Sequence, residues 1–241
     1  VASAINEDGE QLFPRKWNNE FMDVPIVRDQ YQPCFSVETV KGIIEKASGM
    51  YQVLYALLAG TGMRVGEAFA LEIKHLSNDC RTITIEQSLF ERKVQTPKTE
   101  AGYRQIDVPI SLAKLLKSYV GDRTSGLLFP NESGFPLSQT NVNRRLLIPI
   151  LKELGVKERG FHAFRRYRIT WLRRQRTPED LISFWCGHAH KTITDIYSKL
   201  SDDLEYRLEV AEKVGVGFNV PAPMAPLTPR KAVERAVEVV A

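Results

Sequence analysis

Cys186 to Lys199 reads CGHAHKTITDIYSK, with a cysteine and two histidines in five residues and a tyrosine nine positions after His188. Two chemistries suit these side chains. Cys186, His188 and His190 are the thiolate and imidazole donors that zinc takes. Alternatively, Tyr197 is a hydroxyl nucleophile and His188 a neighbour able to hold a phosphate oxygen. A structural zinc site closes with four ligands, and the remaining histidines, His75 and His162, stand in no ligand-pair spacing.

Cleaving a phosphodiester without a metal needs cations on the nonbridging oxygens, a proton donor for the departing oxygen, and a nucleophile whose adduct keeps the bond energy. Arginine suits the first task, because its planar fork donates two parallel hydrogen bonds and stays charged. The chain offers Arg64 and Glu67 in GTGMRVGEAFAL (60–71), Lys98 in TPKTEAGYR (96–104), His162 and Arg165 in HAFRRYR (162–168), then Gly187-His188 and Tyr197. Each has an ordinary reading when taken singly. Arg64 with Glu67 is a helix salt bridge, Lys98 a solvated hairpin lysine, His162 with Arg165 a polar pair on a helix face, and Tyr197 a core ring with its hydroxyl at the rim.

The elements that must position these residues follow from periodicity. Ser36 reads as a helix cap before Val37, Val40, Ile43, Ile44 and Ala47. Met50, Val53, Leu54, Leu57 and Leu58 repeat the pattern beyond Gly49. The glycine-threonine-glycine turn at 60–62 ends that second helix and opens a third, with Arg64 and Glu67 one turn apart. Residues 82–85 and 103–108 alternate as strands, and 96–102 reads as a strand end and turn with Lys98 near its tip. Leu112, Leu115, Leu116 and Tyr119 form a helical stripe. Ser138 caps a segment expected to bend at Pro149 and stop at Gly155, with loop before it. A helix from about Ala163 follows. Thr177-Pro178-Glu179-Asp180 then reads as a capping box with proline at the first helical position, opening a helix that ends at Gly187. The result is an α+β fold, mostly helical, with a small antiparallel sheet.

The 241 residues suit one main domain. Residues 1–35 hold Pro14, Pro25 and Pro33 and show no period, as a linker would. Residues 221–229 are proline-rich, and 230–241 could form a short helix with Val233, Ala236, Val237 and Val240 on one side. Three distant cysteines, Cys34, Cys80 and Cys186, make no disulfide framework and suit a reducing, intracellular protein. No apolar run reaches the ~18 residues of a membrane span, and the first residues show no signal pattern. Net charge is +4, but residues 1–35 carry three basic and six acidic side chains, which leaves +7 on residues 36–241. Residues 162–176 hold six arginines and no acid, so a polyanion such as nucleic acid is the expected partner.

Together and in this order, the motifs resemble the catalytic domain of the tyrosine recombinases, the phage integrase family, over roughly residues 36–200. The resemblance implies a site-specific recombinase or integrase that cleaves and rejoins duplex DNA through a 3′-phosphotyrosine intermediate, serving integration or excision of a mobile element. It makes Tyr197 the nucleophile, Lys98 the acid for the 5′-oxygen, Arg64, Arg165 and His188 the phosphate ligands, His162 an aid to proton transfer, and Glu67 a structural support. Thr99, Arg104, Arg166, Lys191 and Thr192 are the expected DNA contacts. No metal, other cofactor or ATP is called for, since one phosphodiester replaces another. The implied partners are duplex attachment sites, further copies of the chain (a tetramer on synapsed DNA, a monomer when free) and accessory bending or directionality factors. Its place is the cytoplasm, on the nucleoid, with no membrane. Residues 1–35 would be the linker from an N-terminal core-binding domain, 36–218 the catalytic domain, and 219–241 a proline-rich linker and helical tail. Arg166 stands where the family often has histidine, Cys186 where leucine is usual, and His190 where a small residue is common. The rival readings are a type IB topoisomerase, with the same chemistry but rejoining the same strand, and a catalytically idle DNA-binding protein.

Overall fold

The computed structural model describes residues 33–91, 93–96, 102–187 and 200–222. The chain divides into two units, Val1–Gln32 and Pro33–Ala241, and all described residues belong to the second. Helix α1 (Val37–Lys46) starts where the Ser36 hydroxyl accepts the Thr39 N–H at 3.1 Å, and it buries Val40, Ile43 and Ile44. Helix α2 (Gly49–Thr61) is the central rod, buried from Val53 to Thr61. It packs against α1, α4 (Ile110–Val120) and α7 (His162–Arg174), so truncating one of its leucines to alanine costs roughly 2–5 kcal/mol. Phe35, at the end of the expected linker, is buried too, edge-on to Phe164 at 4.9 Å.

Gly62 ends α2 in the left-handed region (φ 69°), where a β-carbon would also meet the Arg168 side chain at 3.0 Å. Only glycine gives both the turn and the close approach of α7. Helix α3 (Val65–Ala70) then leads through a short 3₁₀ turn (Ile73–His75) into strand β1 (Thr82–Ile85). Strand β1 pairs antiparallel with β4 (Arg104–Asp107), Thr82 opposite Asp107 and Ile85 opposite Arg104. Between them stands a second antiparallel pair, β2 (Ser88–Phe90) with β3 (Lys93–Gln95), which the sequence pattern did not announce.

Helix α5 (Gln139–Val142), capped by Ser138, runs through one wide π-type turn at 143–147 into α6 (Ile148–Glu153). Proline has no N–H for the carbonyl one turn back, and the wider turn absorbs that loss just ahead of Pro149. The expected capping box at 177–180 is not made. Pro178 is extended (ψ 136°), so α8 (Glu179–Cys186) begins one residue after it, and the Thr177 hydroxyl is buried without a partner among the described residues. Asp180 instead accepts the Leu181 N–H at 2.8 Å. Helix α9 (Leu204–Val214), the last among the described residues and capped by Asp203, was not expected. The turn after it is fixed on α7 by three donors: Trp171 Nε1 to the Val214 carbonyl (2.8 Å), Arg168 to Gly215 (2.5 Å) and the Tyr167 hydroxyl to Val216 (2.9 Å). No helix among the described residues is long and apolar enough to cross a membrane.

Candidate active site

The first cation is set by the turn that ends α2. Arg64 follows Met63 at the head of α3, where its N–H donates to Glu67 Oε2 at 2.7 Å and its guanidinium to Oε1 at 3.0 Å. Its side chain is 46% exposed, so the charge faces outward while its root is held. Glu67 lies beneath, and Arg104 grips it from the other side with two bonds, at 3.0 and 2.7 Å. Burial alone would raise the Glu67 carboxyl, but the hydrogen bonds and charge of Arg104, with Arg64 behind them, hold it below the usual value.

Arg104 departs from the expected DNA contact. Its side chain is 2% exposed, and besides Glu67 it donates to the carbonyls of Trp185 (2.9 Å) and Gly102 (3.2 Å). A guanidinium shared among a carboxylate and two carbonyls in the interior is a structural tie. It joins the Arg64 turn to the last turn of α8.

The second cation comes from α7. His162 is its first residue and exposed, with Arg165 one turn on and buried. Arg165 donates to the Gly62 carbonyl at 2.9 Å and the Cys186 carbonyl at 2.5 Å. One guanidinium therefore links the turn before Arg64, the start of α7 and the end of α8. Burial lowers Arg165, and the charges of Arg64 and Arg104 add to the effect. His162 is lowered by desolvation first and then by Arg166, Arg165 and Arg64, so at neutral pH it is an uncharged imidazole beside three cations. Arg166, expected to touch DNA, is half-buried and donates to the Pro33 carbonyl at 3.2 Å. Arg159 holds the next carbonyl, that of Cys34, so the incoming chain is fixed near the start of α7.

Gly187 ends α8 in the left-handed region (φ 64°). Lys98, Thr99, His188, His190, Lys191, Thr192 and Tyr197 lie outside the described residues. Of the zinc candidates only Cys186 is described. It is fully buried, with burial pushing its thiol up and Arg165, Arg104 and Arg168 drawing it down. Three cations around a sulfur oppose a divalent ion. Among the described residues no three metal-ligating side chains cluster.

The arginine-rich stretch 162–176 is not one continuous basic face. Arg165 and Arg168 are buried, and Arg168, burdened chiefly by desolvation, is lowered to about 10. Arg173 pairs with Glu179 at 2.9 Å. Helical phase thus divides the six arginines between interior and surface.

Residues 35–203 match the phage integrase family. Relatives include a XerC-like tyrosine recombinase of Caldanaerobacter subterraneus, 28% identical over 194 residues that span 68% of this chain and 49% of that protein. The integrase of Staphylococcus phage L54a is 27% identical, over 62% of this chain and 48% of its own length. The chain spans about half the length of these curated relatives. In fold it is similar to the Tn1549 transposon integrase solved with circular intermediate DNA (TM-score 0.57, 20% identity, 75% of this chain and 68% of that one). It is also similar to XerA recombinase (TM-score 0.52, 20% identity, 76% and 67%). With the match covering well over half its length, the chain belongs to the phage integrase family.

Proposed function

We propose that the chain is the catalytic part of a site-specific recombinase that cuts and rejoins duplex DNA at attachment sites. The observation that carries this is the junction at Arg165: one side chain, bonded to the Gly62 and Cys186 carbonyls, gathers the Arg64 turn, the His162 turn and the approach to His188. Two guanidinium groups from distant segments beside an imidazole held neutral form a receptor for a phosphodiester. The names of the relatives, recombinases and integrases, support the same reading.

In this reading the phenol oxygen of Tyr197 attacks phosphorus, and its proton passes to a neighbouring base, His162 being suited by its neutrality. The new bond is phosphotyrosine at the 3′ side. The phosphorus–O5′ bond breaks, and Lys98 supplies the proton that the departing oxygen takes. Arg64, Arg165 and His188 stabilise the charge that builds on the nonbridging oxygens, each worth up to about 2.7–4 kcal/mol in the manner of an oxyanion-hole donor. Attack of a partner strand's 5′-hydroxyl reverses the step and completes exchange, with no need for ATP or metal. Residues 1–35 serve as linker, 36–218 as catalytic domain and 219–241 as tail. The free chain is a monomer that forms a tetramer on synapsed sites, with DNA-bending or directionality factors as accessories.

A nicked suicide duplex in chelator tests this. The chain should form a covalent protein–DNA adduct without added metal, and Tyr197→Phe should bind DNA but form none. An adduct that persists in the Phe variant would remove Tyr197 from the role. Relaxation of supercoils with no Holliday junction on paired sites would favour a topoisomerase.

A further inference from the structure

Strand β4 and helix α9 share a polar network deep in the interior. Asp107 accepts the Thr82 hydroxyl (2.9 Å), the Trp185 indole N–H (2.9 Å) and Arg207 Nε (2.8 Å), and neither member of the Arg207–Asp107 pair has measurable side-chain exposure. The rest of the Arg207 guanidinium donates to the side-chain oxygen of Gln105 (2.6 Å) and to the carbonyls of Leu200 and Ser201, the latter at 2.8 Å. Its face lies against the Phe184 ring, 5.1 Å from the centroid.

This network meets both ends of residues 188–199. On the near side, Arg104 and Arg165 hold the Trp185 and Cys186 carbonyls, and Asp107 holds the Trp185 indole. On the far side, Arg207 holds residues 200 and 201. Asp107 joins the two anchorages through one carboxylate. A buried ion pair is a weak source of stability, because well-packed apolar side chains would serve as well. Apolar side chains cannot hold two successive carbonyls at hydrogen-bond distance. Leu200 and Ser201 follow Tyr197 in the sequence by three and four residues.

We propose that Arg207 is a positioning residue for the tyrosine nucleophile: anchored on Asp107, it fixes the backbone at Leu200–Ser201 from which the Tyr197 hydroxyl must reach phosphorus. The proposal rests on Tyr197 being the nucleophile. Arg207 touches no reacting atom in this scheme; it acts through the chain it holds.

Two cleavage routes separate positioning from general damage. One is formation of the tyrosine adduct by the full chain on suicide DNA. In the other, the Tyr197→Phe chain is given hydrogen peroxide, whose anion forms the new bond to phosphorus while the 5′-oxygen leaves, so the phosphate receptor is used without the tyrosine. Arg207→Lys keeps a cation for Asp107 but cannot serve the carbonyls and Gln105 together. Adduct formation should fall about 100-fold, the scale of an ångström's misplacement. Peroxide-driven cleavage by Arg207→Lys in the Phe background should stay within about threefold of Tyr197→Phe alone. Gln105→Ala loosens Arg207 without exposing a buried charge, and should show the same imbalance, about tenfold, if Arg207→Lys does not fold. Equal loss by both routes, or loss by neither, would overturn the proposal. Absence of any adduct from the unmutated chain would overturn the nucleophile assignment along with it.

Discussion

Arg64 and Arg104 share one carboxylate and differ in what surrounds them. Arg64 is 46% exposed at the side chain and Arg104 2%. Removing Arg64 leaves Glu67 with both Arg104 bonds intact, so Arg64→Ala should shift stability by no more than about 1 kcal/mol, as for a half-exposed pair, while adduct formation collapses. Removing Arg104 leaves the buried carboxylate to the half-exposed Arg64 alone and takes the donor from the Trp185 and Gly102 carbonyls, so Arg104→Ala should cost about 3–5 kcal/mol. Thermal melts beside adduct assays check the pair, and the reverse pattern would show that the roles have been exchanged. The fixed order of the motifs singled out Arg64, His162 and Arg165 in the sequence, and the fold brings the two arginines within electrostatic reach of the imidazole. The part played by Arg104 was not, since a lone arginine in a strand reads as a surface charge until its partner, 37 residues away, is seen. Arg207 carried a fainter signal. It stands in phase with Ala211 and Val214 on the buried face of α9, where a charge is out of place unless it is paired.

The helices that periodicity announced are those whose apolar faces are their main source of stability. Helix α1 and the α4 stripe follow the spacing, and α2 ends at the glycine turn as expected. The β2–β3 hairpin escaped because backbone pairing holds its strands and none of their side chains is fully buried, leaving no alternation to read. Helix α9 escaped because a buried arginine interrupts its stripe. At Gly62 two requirements fall on one residue, a positive φ and the approach of α7. Gly62→Ala should therefore cost more than the roughly 1 kcal/mol of a left-handed alanine, since the methyl must also displace the Arg168 side chain. Arg165 Cα stands at ordinary contact distance, 3.8 Å, but its guanidinium holds the Gly62 carbonyl at 2.9 Å, so a shift of this turn is passed to that cation. Adduct formation should drop in this variant even at temperatures where it stays folded. A folded Gly62→Ala with full activity would show that the turn and the phosphate cations are not mechanically linked.

For the molecule as a whole, the +7 on residues 36–241 argues for attraction to DNA, but the fold decides which charges count. Helix α7 runs from His162 to Arg174, and at 1.5 Å per residue its ends are roughly 18 Å apart, about twice the Debye length at physiological salt. Arg173 at the far end is tied to Glu179, and Arg174 lies near Glu38, whose carboxyl is lowered first by its backbone N–H and Ser36, then by Lys41 and least by Arg174. Locally compensated charges release few counterions when DNA arrives. The double variant Arg173→Ala with Arg174→Ala should leave the slope of log affinity against log salt unchanged within about 0.5, while Arg64→Ala should flatten it by about 0.9, the loss of one phosphate contact. Titrations of a labelled duplex across a salt series measure both slopes. A marked flattening in the double variant would mean that DNA runs along the whole length of α7, and an unchanged slope in Arg64→Ala would leave that cation without a phosphate.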